Sequence, residues 1–236
     1  MNYKILCGMT SFKRPIECIG QIYRFMNMNY DNYKLSVIVR GVDKDVYDSQ
    51  IIPNVQKFID SNQLIIKYGQ NSNFLVNIIE TFDIEEEFDY YAKIDDDDWY
   101  SLDYLKEVNE HLNWHPWCCG CHIDPEAIHI TYKKDDNIKM RQNETGICGG
   151  TFVMNRDIIN ILIQVKNNLS DIDAILRGHI WPPISIHNGM RQGKNEDALM
   201  HRILNYYDEN YNMPHITITK PNLYSLYRVY DGVLSR

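Results

Sequence analysis

"FDYYAKIDDDDWYS", residues 88–101, is the stretch whose reading decides the fold. Tyr90, Tyr91, Ala92, Lys93 and Ile94 read as a short buried strand. Asp95, Asp96, Asp97 and Asp98 follow without a break, and Ser101 opens a helical pattern. Adjacent carboxylates repel, so a packed fold gathers them only where a compensating charge is at hand. In an extended segment residues two apart point the same way, which puts Asp95 and Asp97 on one face and turns Asp96 and Asp98 elsewhere. The shared face offers hard oxygen ligands suited to Mg²⁺ or Mn²⁺. Such a cation, left with open positions, holds phosphate groups. Two other readings compete: a solvated acidic loop at a helix N-terminus, and a calcium loop. In the second, Asp96, Asp98 and Glu107 take the first, third and twelfth places, but Tyr100 and Ser101 stand where an oxygen ligand and a turn glycine belong. A strand running straight into the acids favours the cation–phosphate reading.

Upstream of the acids, strand and helix patterns alternate. "YKILCGMTSF" predicts a strand from Lys4 to about Met9 and a turn at Thr10 and Ser11, and Pro15 suits a helix start. Ile16, Ile19, Ile22, Tyr23 and Met26 recur at helical spacing. "YKLSVIVRG" is a nearly continuous apolar strand, as in the middle of a parallel sheet. Ile52, Val55, Phe58 and Ile59 suggest a second helix and "QLIIKYG" a third strand. Phe74, Ile78, Ile79 and Phe82 form a helix face leading to the strand before the aspartates. This alternation predicts a doubly wound α/β sheet, mostly parallel and flanked by helices, whose ligands bind beyond the C-terminal ends of its strands. Thr10, the segment after Val39, and Asp95 all fall at such ends.

The second part is less regular. Residues 101–113 read as a helix carrying Leu102, Leu105, Val108 and Leu112. "WHPWCCGCH" holds Cys118, Cys119, Cys121 and His122 but no second ligand pair of the kind structural zinc takes, so buried thiols in a strand are expected. In "GICGGTFVMNRD", Gly149 and Gly150 allow close backbone approach, and Asp157 begins a helix. "RGHIWPPISIHNGMRQGK" is a long loop with Trp181 and His187, of the kind that often serves as a lid or acceptor site. Asn195 suits a helix N-cap, with Glu196 and Asp197 in the first turn. The tail reads as two tyrosine-rich strands or extended segments.

A chain of 236 residues is most simply one large domain or one domain with an appendage. The formal charge of −8 argues against nucleic acid as a main partner, because phosphate backbones need clustered Lys and Arg. No apolar run approaches the ~20 residues that span a bilayer, and the N-terminus lacks a signal-peptide pattern. The six cysteines show no disulfide framework, which predicts a reducing cytoplasm.

Several of these segments together resemble the GT-A glycosyltransferases, especially the family-2-like inverting enzymes that use nucleotide sugars. "TSFKRP", residues 10–15, is similar to the "T-[YF]-N-R-P" that follows their first strand. "GQNSNFLVNIIETF" is similar to the segment beside the nucleotide, "KIDDDDW" to their Asp-x-Asp motif, "GGTFVMNRD" to the strand under the acceptor, "NED" to the motif that supplies the base, and "YRVYDGVLSR" to a C-terminal "Y-R-x-H-x-G-S-x-S-R". The resemblance implies a single GT-A domain over 1–236, with residues 1–100 binding the nucleotide sugar and 101–236 the acceptor. It implies Asp95 and Asp97 as ligands of Mn²⁺ or Mg²⁺, and Asp197, beside Glu196, as catalytic base. Thr10, Ser11, Arg14, Asp43, Asn73, Lys93, Asp95 and Asp96 fall around the donor, a nucleotide-diphosphate sugar with UDP favoured. Trp181, Asp98, Gly150 and His187 fall around a glycan or glycoconjugate acceptor. Tyr230 stands where that ending often has a metal-binding histidine, with His187 and His215 as remote substitutes, and Asp43 is the nearest acid after the second strand. The implied activity is hexosyl transfer in the cytoplasm, compatible with work at a membrane periphery. The residues leave two other functions open. A sugar-phosphate nucleotidyltransferase would carry a glycine-rich basic loop where "CGMTSFKRP" has one glycine, and a carbohydrate- or calcium-binding module would carry out no catalysis.

Overall fold

A computed structural model describes residues 1–70, 73–134, 137–142, 149–167, 200, 204, 209, 211 and 213–229. The apolar run after Lys4 forms β1 (Ile5–Phe12), buried as far as Ser11. It pairs in parallel with β2 (Tyr33–Arg40) on one side and β4 (Tyr90–Asp95) on the other, and β3 (Leu64–Tyr68) continues the sheet beyond β2. Helix α1 (Pro15–Phe25) follows β1. A single helical turn, α2 (Lys44–Val46), and a π-helical turn lead from β2 into α3 (Ile52–Asp60), and α4 (Phe74–Phe82) precedes β4. The continuous apolar pattern of β1 reflects cover on both faces. Ile5, Cys7 and Met9 pack in the cluster that includes Ile22, Phe25 and Val55, while Leu6 faces Ile78, Ile79 and Phe82 of α4.

Beyond the acids, β5 (Trp99–Tyr100) leads to α5 (Tyr104–Trp114) and β6 (Gly120–Ile123). A hairpin, β7 (His129–Lys134) and β8 (Asn137–Gln142), comes next, then β9 (Val153–Asn155) and α6 (Arg156–Asn167). Strands β10 (His215–Ile218) and β11 (Tyr224–Val229) end the described chain. Strand β9 runs antiparallel between β4 and β6, and β10 lies parallel to β6. The main sheet therefore has seven strands in the order β10-β6-β9-β4-β1-β2-β3, mixed but mostly parallel and flanked by helices. A second sheet, β5-β11-β7-β8, starts from the residues that follow the acids.

The expected strands and helices of the first hundred residues are present, with shifted details. Thr10 and Ser11 stay in β1 because Ile38 and Val39 of β2 stand opposite them, so the turn falls at Lys13, whose φ is 59°. The buried stripe of α1 is Cys18, Gln21, Ile22 and Phe25, leaving Ile16 80% exposed. Helix α5 starts at Tyr104 rather than Ser101, since Ser101 N–H is tied to Leu223 O ahead of β11; Tyr104 turns inward and Leu102 outward. The side chain of Asn155 caps α6 by accepting from Ile158 N, so the helix begins at Arg156, one residue before the expected Asp157. The hairpin β7–β8 went unread, though Ile130 and Tyr132 alternate with polar residues there. Cys118, Cys119 and Cys121 are buried and in no disulfide, as are Cys7 and Cys18; Cys148 lies outside the described residues. Among the described residues no helix is long and apolar enough to cross a membrane.

Gly8 lets α4 pack closely against β1. A Cβ there would lie 2.1 Å from Thr81 Oγ1 and 2.4 Å from the Phe82 ring. Gly8→Ala is therefore expected to destabilise the protein by about 1–3 kcal/mol, the usual range for overpacking, read as a lower urea midpoint. An unchanged midpoint contradicts this packing.

Candidate functional site

Parallel pairing of β1 and β4 sets Thr10 opposite Asp95, so the loop after β1 and the acidic turn emerge side by side at the C-terminal edge of the sheet. That edge is where open α/β sheets bind ligands. The exposures of the four acids alternate as anticipated. The side chains of Asp95 and Asp97 are each 21% exposed, and that of Asp96 is 7% exposed. Asp98 is buried as well. The cause differs from simple strand alternation, because the chain turns after Asp95.

Three side chains hold that turn from beneath. Gln21 of α1, itself buried, donates from Nε2 to Asp95 O at 3.1 Å and to Asp98 O at 2.9 Å. The Tyr100 hydroxyl accepts from Asp95 N at 2.9 Å and donates to Gly150 O at 2.8 Å. The Tyr224 hydroxyl donates to the Asp98 carboxylate. The rings form one buried cluster of edge-on and tilted contacts, with the Tyr100 centroid 5.0 Å from that of Tyr224, 5.2 Å from Tyr104 and 5.3 Å from Phe25. Gly150 fits closely here. A Cβ on it would lie 2.8 Å from Asp95 Oδ2 and 2.9 Å from both the Tyr100 and Tyr224 hydroxyls.

Among the described residues, two cations offset the acids. Lys93, 1% exposed, places Nζ 2.9 Å from Asp95 Oδ1. Arg14 places Nη1 2.6 Å from Asp97 Oδ2 and 3.2 Å from Asp96 Oδ1. Burial works against the charge on Arg14, but the Asp97 and Asp96 carboxylates outweigh it and raise its pKa. Burial pushes the Asp96 carboxyl up to about 6; the charges of Asp97 and Asp95 push the same way, against the Ser11 hydroxyl and Arg14. Oδ2 of Asp96 is buried with no hydrogen-bond partner among the described residues.

The donor set suits a hard divalent ion. Asp95 and Asp97 are partly exposed carboxylates on the open side of the turn, and the remaining positions of an ion such as Mg²⁺ are normally filled by water and phosphate oxygens. No cage of three or more His, Cys, Asp or Glu side chains exists among the described residues. The calcium-loop reading fares poorly, because Glu107 lies on α5 and is engaged by Lys220, while Asp98 is engaged by Tyr224.

The predicted site residues divide into those that meet here and those that do not. Thr10, Ser11, Arg14, Lys93, Asp95, Asp96, Asp97, Asp98 and Gly150 gather around the turn. Lys93, expected at the donor, is buried and paired with Asp95, and Asp98, expected at the acceptor, is buried with its carboxylate engaged by Tyr224. Asp43 is exposed ahead of α2, and Asn73 caps α4 by accepting from Val76 N; both lie at strand ends along the same edge. His215 sits on β10 with its ring 5.1 Å from that of His122. Trp181, His187, Glu196, Asp197 and Tyr230 lie outside the described residues. Sequence reasoning missed Gln21, Tyr100 and Tyr224. Gln21 left a signal, being a polar residue on the apolar stripe of α1.

The sequence matches no family profile and no curated protein. Structure comparison does find likenesses. S. aureus TarS residues 1–349 in complex with UDP-GlcNAc aligns with a TM-score of 0.56 at 11% identity, over 95% of this chain and 58% of that one. The complex of the same protein with UDP gives 0.54 at 12% identity, over 95% and 60%. The mannosyltransferase PcManGT from Pyrobaculum calidifontis, in complex with GDP-Man and Mn²⁺, gives 0.52 at 10% identity, over 96% and 57%. This chain thus spans less than two thirds of the length of each. At such identities the likeness establishes the fold: a GT-A, Rossmann-like α/β domain.

Asp96 generates a pH dependence. Its folded pKa of about 6 lies above the ordinary 3.8, so the folded state holds the extra proton between those values and stability falls as pH rises through that window. Asp96→Asn is expected to be more stable than wild type above pH 7 in metal-free buffer, by on the order of 2 kcal/mol. The advantage should vanish near pH 4. Urea denaturation across pH checks this, and a difference independent of pH contradicts it.

Proposed function

We propose that this chain is a glycosyltransferase that moves a hexosyl group from a nucleotide-diphosphate sugar to a hydroxyl of a glycan or glycoconjugate, with inversion. The observation that carries the reading is the pair Asp95 and Asp97, partly exposed at the C-terminal edge of β4 beside Arg14. The GT-A fold adds support, since solved structures of that fold hold UDP, UDP-GlcNAc, or GDP-Man with Mn²⁺.

In this reading Asp97 and Asp95 would hold Mn²⁺ or Mg²⁺, which when bound neutralises charge on the diphosphate. The chain's own groups supply the rest. Lys93 keeps the Asp95 carboxylate in place, and Gly150 leaves room beside it. Arg14 adds a cation on the donor side. Thr10 and Ser11 end the strand against which the nucleotide lies, with Asp43 and Asn73 further along the edge. Asp197, assisted by Glu196, accepts the proton of the attacking hydroxyl, a role typically worth ~10²–10⁴-fold. Trp181 and His187 contact the acceptor sugar. Residues 1–100 form the donor half and 101–236 the acceptor half. The reading assigns the protein to the cytoplasm, and a UDP sugar is the first donor to try.

The test is a thermal-shift screen of UDP, GDP and dTDP sugars with and without MnCl₂, followed by product analysis. Ligand binding to the folded state raises Tm by mass action. A nucleotide sugar is expected to raise Tm in a Mn²⁺-dependent way, and turnover to release a nucleoside phosphate. Release of pyrophosphate contradicts the proposal in favour of nucleotidyl transfer, and indifference to all donors contradicts it in favour of a binding module.

Two variants divide the roles. Asp97→Asn is expected to lose the Mn²⁺-dependent shift together with transfer. Asp197→Asn is expected to keep the donor-induced shift while kcat falls ~10²-fold or more. Near-normal kcat in Asp197→Asn refutes its assignment as base.

A further inference from the structure

The two cations at the acidic turn are not alike. Lys93 is fixed: it belongs to β4 itself, is 1% exposed, and meets the Asp95 carboxylate within the sheet. Arg14 lies on the loop between β1 and α1 with its side chain 31% exposed, and reaches across to the turn. The backbone before it is pinned, since Lys13 N donates to Arg40 O at 3.0 Å and Lys13 holds φ 59°. Freedom at this point therefore resides in the arginine side chain. Its guanidinium rests on Asp97 Oδ2, an oxygen of one of the two outward carboxylates, and on Asp96 Oδ1.

We propose that Arg14 is the resident cation of the acidic turn and exchanges with a divalent ion when a nucleoside diphosphate arrives, so that this side chain couples metal affinity to donor binding. The inference rests on the donor-site reading above and goes beyond it by making Arg14 a positioning residue for the metal. A guanidinium and a divalent ion repel each other when both lean on one carboxylate. The ion gains full use of Asp97 only once Arg14 has another anion to hold. A diphosphate at the same edge is such an anion, and arginine binds phosphate oxygens in a two-pronged fashion. Arg14 is shared between the two carboxylates, and the buried Oδ2 of Asp96 is left with no hydrogen-bond partner among the described residues. Thermodynamic linkage then requires the metal to strengthen nucleotide binding by the same factor as the nucleotide strengthens metal binding.

The experiment titrates MnCl₂ into the full chain and follows the free-ion signal by electron paramagnetic resonance, with and without saturating UDP or GDP. Wild type, Arg14→Gln and Arg14→Lys are compared, with circular dichroism to verify folding. Removing one positive charge a few ångströms from the ion is worth on the order of tenfold in affinity. Arg14→Gln is thus expected to bind Mn²⁺ alone about tenfold more tightly than wild type, and the enhancement by UDP or GDP should shrink by a similar factor. Arg14→Lys keeps a charge that cannot bridge two carboxylates, so its affinity should fall between them. If folded Arg14→Gln binds Mn²⁺ no more tightly than wild type while nucleotide-assisted binding persists in wild type, the exchange is refuted and the donor site stands. If wild type binds no Mn²⁺ even with UDP or GDP, both the exchange and the donor-site reading are refuted.

Discussion

An ammonium buried against a carboxylate is the constraint on which this structure depends. Lys93 is almost wholly buried, and Asp95 lies two residues on along the same strand. Charges taken out of water persist only when paired and hydrogen-bonded. That pairing fixes the first acid of the turn at the sheet edge, and the other acids are arranged from it. Asp96 and Asp98 are buried, Asp98 held by Tyr224, while Asp95 and Asp97 stay partly exposed and Asp97 shares Arg14 with Asp96. The premise that four carboxylates need a compensating charge is met in part by the chain itself. A divalent ion is therefore not needed to hold the acids together, and its place depends on fit to the two partly exposed carboxylates.

The second sheet gains a purpose from the same turn. Strand β5 is only Trp99 and Tyr100, but by pairing with β11 it brings Tyr224 under the acids. Tyr100 and Tyr224 are apolar bodies with polar tips, able to fill a core and still present hydroxyls to the backbone and to a carboxylate. Gly150, on the segment before β9, closes the gap, where any side chain would press on Asp95 and both hydroxyls. The turn is thus held by groups from α1, β5, β11 and the β9 approach, and that rigidity favours a binding edge.

Much of this was legible in the sequence because the signals are local. Continuous apolar runs marked β1, β2 and β4 as covered on both faces, and helical spacing marked the segments between them. The outward pair of acids was also legible, though the turn after Asp95 produces it rather than an unbroken strand. What escaped notice is non-local. Tyr224 lies 126 positions from Asp98, and no spacing rule links them. Arg14 could be named as a donor residue but not as the partner of Asp96 and Asp97, since that contact follows from the register of β1 against β4. The start of α5 was misread because Ser101 answers to Leu223 rather than to its own helix.

The central claim is that Asp95 and Asp97 form the edge at which a metal-bound nucleoside diphosphate sits. The most direct measurement is anomalous diffraction from a crystal soaked with MnCl₂ and UDP. The account predicts a manganese peak at coordination distance, ~2–2.5 Å, from a carboxylate oxygen of Asp97 or Asp95 and in contact with the diphosphate. A diphosphate bound at another edge of the sheet, with both carboxylates still held by Arg14 and Lys93, would contradict it.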